Sequence, residues 1–217
     1  MSIKKIFEDN EPIAHNKYKY VLWESILLSI ICMGTYTTIG LASNLVVLAI
    51  GLILFIMLIY LISKFQFKLI QFKPLEKKHL LYGLIATILS LAIYWTISAI
   101  IGQPSNQVDV YKDLNTMPIF ISIIIFVILG PIFEELIFRG FILKGMFKGH
   151  LLAGFIVSSI LFGLIHGPTS IGEFIIYFEL GLIFGALYLI TNRIEIAIIC
   201  HGLNNLVHIL IFLFVYK

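Results

Sequence analysis

Three long windows of this chain are almost free of charge. Tyr20 to Ser63 holds only Glu24, while Leu80 to Val108 and Leu114 to Phe133 hold no Asp, Glu, Lys or Arg at all. A helix needs about 20 apolar residues to cross a bilayer, so each window accommodates at least one span. The composition leaves the same impression: 60% of the 217 residues are hydrophobic, 12% are charged, and the mean hydropathy is +1.03. A soluble domain carries about a quarter of charged residues, so the excess Ile, Leu and Phe must face lipid. The chain reads as an all-α, polytopic transmembrane helical bundle.

Seven spans are predicted, at Val21 to Ile39, Asn44 to Ile62, Leu80 to Ile101, Pro118 to Phe138, Leu151 to Ile165, Phe174 to Ile190 and Ala197 to Phe214. An eighth segment would reverse the side of the C-terminus. The basic residues divide by side. The N-terminus (Lys4, Lys5, Lys17, Lys19), the 64–79 loop (Lys64, Lys68, Lys73, Lys77, Lys78), the 139–150 stretch (Arg139, Lys144, Lys148) and Arg193 hold 13 of the 15. Lys112 and Lys217 fall on the other side. The positive-inside rule then places the N-terminus in the cytoplasm, with the charged end of the hairpin near Gly149 projecting there too. The domain reading is a cytoplasmic tail over 1–20, N-terminal membrane helices over 21–116, with Gln103 to Thr116 a polar loop, and a membrane core over 117–217.

Several classes are set aside. The net charge of +3 comes from loop lysines that fit topology, so nucleic acid is not expected as a partner. Cys32 and Cys200 lie in apolar stretches, form no CxxC and read as core thiols. The first 20 residues are too charged to contain the apolar region of a cleavable signal peptide. There is no phosphate-binding glycine motif, and no repeat of the kind found in secondary transporters. The expected partners are therefore the bilayer and a substrate.

Charge inside a span costs several kcal/mol unless it is paired or wet, which makes each such residue a functional candidate. Glu134, Glu135 and Arg139 stand at the end of the fourth span. At 100° per residue, Glu135 and Arg139 share a helix face and form a structural ion pair, whereas Glu134 points away and faces a cavity. His166 ends the fifth span four residues after Phe162. His201 precedes Asn205 by four on the last span, with His208 one turn further on. Glu134 lies about 15 residues before the turn at Gly149 and His166 about 17 after it, so the two come out level. His201, about two turns past Arg193, lies at a similar depth, and all three can share one cytoplasm-facing cavity. Taken singly, an intramembrane histidine is more often a helix-to-helix hydrogen bond than a catalyst. Glu179 reads as mostly structural, a partner for a histidine or for Arg139. Gly181 and Gly185 form a GxxxG packing pair, and Cys200 is discounted as a metal ligand because it diverges from His201 by 100°.

Together Glu134-Glu135-xxx-Arg139, Phe162-xxx-His166 and His201-xxx-Asn205, in that order on separate helices, resemble the CPBP family, which takes in the CAAX proteases and the bacteriocin-processing enzymes also called the Abi family. The resemblance covers about residues 117 to 215. It implies an intramembrane endopeptidase in which Glu134 activates water with His166 assisting, His201 and Asn205 stabilise the oxyanion, and Glu135 with Arg139 supports the site. It leaves a metal open. No HExxH is present and a metal-free reading is favoured here; zinc, if bound, would take Glu134, His166 and His201. The resemblance also admits a non-catalytic bacteriocin immunity protein or a membrane scaffold. A proton-coupled transporter is a third class. The Ile-, Lys- and Phe-rich composition suggests an AT-rich bacterium, so a plasma-membrane location and a peptide or membrane-protein substrate are expected.

Overall fold

The computed structural model describes residues 3–216 apart from Leu41, Ser43 and Phe72. Among these residues the regular structure is entirely helical. After a short turn of helix, α1 (Ile3–Ile6), the apolar windows fold as α2 (Tyr18–Gly40), α3 (Leu45–Lys64), α4 (Lys77–Ile101), α6 (Ile119–Met146), α7 (Leu151–Ile165), α8 (Ile171–Thr191) and α9 (Ile194–Ile211). All seven expected spans are present as helices. Six are long and apolar enough to cross a bilayer. The seventh, α7, has 15 residues and a length of about 22 Å, short of the ~30 Å hydrocarbon core. The protein is a multi-pass helical membrane protein.

The segment from Gln103 to Thr116 is not a loop. Ser105–Thr116 forms α5, because Gln107, Tyr111 and Leu114 recur at i, i+4 and i+7 and are buried along one stripe. Tyr111 and Leu114 pack with Ile209 and Phe212 of α9. At its other end Ser105 hydrogen-bonds the Glu173 carboxylate, and the Asn106 amide donates to the Tyr177 hydroxyl at 3.4 Å. A single stripe in a polar sequence is easily passed over.

α6 is composite. Its backbone is π-helical over Ile123–Leu129 and Leu136–Met146, with an α-helical turn, Gly130–Glu135, between them. Pro131 stands in that turn and has no N–H to continue the i→i−5 pattern, in which its partner would be the Phe126 carbonyl. In lipid a carbonyl freed from the ladder needs another donor. The Phe126 carbonyl finds one in the Asn205 amide, at 2.9 Å. α9 comes close enough for this because Gly202 lies against the Val127 carbonyl, where a Cβ would stand 2.7 Å from the oxygen.

The basic segments meet at one end of the bundle. Arg193 donates to the carbonyls of Lys73 (2.7 Å) and Gln71 (3.1 Å), Lys148 to that of Asn16 (2.7 Å), and the Gln71 N–H to Glu195 (2.8 Å). Residues 9–16 of the tail dock on this end, with Ile13 and Ala14 buried, Asp9 accepting from the Gly149 N–H and the Asn16 carbonyl accepting from Lys148. Two charges expected to project outward do not. Arg139 is buried inside the bundle, and Lys144 is 2% exposed, its amine on Asn192 Oδ1 (2.6 Å), the Glu11 carbonyl (3.2 Å) and the Tyr188 ring. Docking of the tail supplies acceptors that a bare hairpin lacks. Lys112 stands at the opposite end, and Lys217 lies outside the described residues.

Candidate active site

Glu134 and Glu135 part exactly one helical step apart and face different surroundings. Glu135 is fully buried, with Oε2 at 3.0 Å from Arg139 Nε, so the i, i+4 pair forms despite the π-helical backbone around Arg139. The guanidinium is held from the other side by the carbonyls of Leu180 and Gly181, each at 3.3 Å, and lies over the rings of Phe162 and Phe184. α8 approaches this closely because Gly181 and Gly185 present no side chain: a Cβ on Gly181 would stand 2.8 Å from Ser159 Cα. The GxxxG pair is thus a packing device against α7.

Glu135 has a second partner, from 66 residues away. Its Oε1 lies 2.9 Å from Nδ1 of His201. A carboxylate only accepts here, so Nδ1 carries the proton and the other ring nitrogen, Nε2, is turned inward. His166 is fixed the same way, with Nδ1 at 2.7 Å from the Phe162 carbonyl and its ring stacked on Tyr177 at 4.2 Å. The phenylalanine of the Phe162–His166 pair therefore contributes its backbone oxygen to orienting the ring. The two Nε2 atoms converge on one oxygen: Glu134 Oε2 is 3.9 Å from each. That gap is too long for a direct hydrogen bond and suits one bridging water or reacting oxygen.

Glu134, His166, His201 and Asn205 line a single cavity of about 150 Å³. About 10–15 Å³ of such volume holds one water, so the cavity is large enough for several. Of Asn205's two amide hydrogens one goes to Phe126 and the second is left for a ligand. The sequence reasoning brought these four residues together. Their cavity also takes in Asn106, Gln107 and Val110 of α5. Glu179 is another correction: it is 8% exposed, and neither carboxyl oxygen has a hydrogen-bond partner among the described residues, so it partners neither a histidine nor Arg139. Cys200 donates to the Gly83 carbonyl as a core thiol. Tyr36 and Tyr177 line the cavity and were missed, since an isolated tyrosine in an apolar helix carries no signal.

The donor set can be tested against a metal. Two ligands about 2.1 Å from a tetrahedral zinc stand about 3.4 Å apart. The 3.9 Å separations here exceed that, and no group of three His, Cys, Asp or Glu among the described residues is arranged to hold an ion. The residues as placed do not fit zinc.

The site is a cluster of carboxylates and histidines enclosed by the helices of a polytopic membrane bundle. Residues 116–207 match the family model described as Type II CAAX prenyl endopeptidase Rce1-like. The chain is similar to YdiL of Bacillus subtilis (strain 168), described as a candidate membrane peptidase, with 32% identity over 107 residues covering 48% of this chain and 42% of YdiL. It is also similar to the membrane-embedded CAAX protease MroQ of Staphylococcus aureus (strain USA300), with 39% identity over 97 residues covering 41% of this chain and 37% of MroQ. The matched stretch thus spans about two fifths of each relative. No solved structure matches the chain significantly.

Proposed function

We propose that the chain is an intramembrane endopeptidase that cleaves a peptide or membrane protein by attack of water activated by Glu134. The observation that carries this is the convergence of two oriented imidazole nitrogens on one Glu134 oxygen beside a cavity with room for water. The relatives' names support the reading at the level of class.

Water between Glu134 and the histidines loses a proton to Glu134 as it attacks the substrate carbonyl, and His166 Nε2 lies close enough to share that proton and pass it to the leaving amine. His201, its Nδ1 held by Glu135 at 2.9 Å, turns Nε2 toward the oxyanion, to which that nitrogen donates when it carries a proton. The second amide hydrogen of Asn205 is the other donor. Donors held in advance in a water-poor site contribute about 2.7–4 kcal/mol each to such an intermediate. Glu135 and Arg139 act by position only: they set the ring and tautomer of His201. No serine or cysteine nucleophile is required, and no step passes through a metal. We take the basic end of the bundle as cytoplasmic, in a bacterial plasma membrane.

Purified protein in detergent, incubated with proteome-derived peptides, tests the reading. Wild type is expected to generate new termini that Glu134→Gln does not; equal cleavage by both would defeat it. Stoichiometric zinc by elemental analysis, lost in His166→Ala, would replace the metal-free mechanism. An immunity or scaffold role would instead show as a cellular phenotype surviving Glu134→Gln, and a transporter as dissipation of a pH gradient in liposomes.

A further inference from the structure

The cavity does not end at the four residues that the mechanism uses. On α9 its wall runs through His201, Asn204, Asn205 and His208, positions i, i+3, i+4 and i+7 of one helical face. His208 is only 4% exposed, lines this cavity, and neither of its ring nitrogens has a hydrogen-bond partner among the described residues. Its ring packs, tilted, against Tyr94 at 4.2 Å and Trp95 at 6.0 Å between ring centroids. Packing therefore holds the ring while its two polar atoms are unsatisfied, an arrangement costly in a protein interior unless something polar comes and goes.

Its neighbours narrow the chemistry. Asn204, 3% exposed, has its Oδ1 occupied by the Ser90 hydroxyl at 3.1 Å, which turns its amide group toward donating. Gln107 and Asn106 of α5 close the same end of the cavity. Among the described residues no Lys, Arg, Asp or Glu other than Glu134 lines the wall, so an ionised ligand group there would be left unpaired. A neutral imidazole with both nitrogens free both donates and accepts, as does a hydroxyl or carboxamide. His208 lies seven residues beyond His201, about 10 Å along the helix, or about three residues of extended chain.

We propose that His208, with Asn204 and Gln107, forms a specificity subsite at the α5 end of the cavity that takes an uncharged hydrogen-bonding side chain (Ser, Thr, Asn or Gln) of the substrate, a few residues from the scissile bond. This rests on the peptidase reading and adds to it a substrate feature and a direction: the substrate chain lies along α9 toward α5.

The test is cleavage profiling on proteome-derived peptides with wild type, Glu134→Gln, His208→Phe and His208→Gln. Wild type is expected to favour Ser, Thr, Asn or Gln at one position on one side of the cut. His208→Phe is expected to lower kcat/KM for those peptides at least tenfold, mainly through KM, and to leave peptides apolar at that position unchanged; His208→Gln restores most of the preference. An unaltered profile in His208→Phe overturns the subsite while leaving the peptidase standing. So does a uniform loss on all peptides with a lowered melting temperature, which marks a packing role, or a wild-type preference for acidic or basic residues at that position. Should wild type cut nothing, the peptidase reading fails, and the subsite is decided by binding. In a Cys32→Ala, Cys200→Ala, His208→Cys protein, the same peptide mixture is expected to slow labelling by a polar methanethiosulfonate at least threefold. Unchanged labelling overturns it.

Discussion

The two halves of the bundle use the membrane differently. α3 buries only 11% of its most apolar window inside the protein, whereas α8 buries 61% of its own. α3 presents Ile53 (65% exposed) and Ile56 (67%) outward and packs mainly on α2. α8 is enclosed by α7 and α4 and offers backbone carbonyls to a buried guanidinium. The contrast teaches where a membrane protein can keep charge: only where several helices surround it can each ion find partners, and there it is available for chemistry. α3 need only be apolar, and so carries little beyond that in its sequence.

Substitutions sharpen or break this contrast. The largest effect is expected at Glu134: Glu134→Gln should lower kcat by about 10³-fold with the melting temperature unchanged, since its oxygen faces the cavity rather than a structural partner. His201→Ala follows, with a loss of about 10²-fold or more in kcat. Glu135→Gln should act on both properties, destabilising by about 3–5 kcal/mol in detergent unfolding because Arg139 is left buried and unpaired. The double variant Glu135→Leu, Arg139→Met should recover much of that stability yet stay inactive, because Leu offers the His201 Nδ1–H no acceptor. Gly181→Val should cost about 1–3 kcal/mol by forcing α8 off Ser159. The smallest effect is expected at Ile53→Ala in α3, within about 0.5 kcal/mol and without change in activity. Activity that falls with Ile53→Ala as far as with His201→Ala would break the division into a lipid-facing half and a working half.

How much of this was legible in the sequence follows the same division. Seven apolar helices were legible because hydropathy alone specifies them in lipid. Glu134 facing one way and the Glu135–Arg139 pair the other followed from helical angles over five residues, short enough for the π-helical flanks not to matter. The bond from Glu135 to His201 was not legible, because it joins residues 66 positions apart and depends on how α9 crosses α6. The reach of the cavity to α5 was not legible, because it depends on how α5 docks against α9. α5 was overlooked because its apolar stripe is only three residues long. Burial of Lys144 depended on acceptors at Glu11 and Asn192, which no local pattern around position 144 announces.

The most direct test of the central claim, that Glu134 drives peptide-bond hydrolysis within the membrane, is membrane peptidomics of cells expressing wild type or Glu134→Gln at matched levels. The account predicts peptide termini that occur only with wild type. Identical termini in the two, with any cellular phenotype of the protein kept by Glu134→Gln, would contradict it.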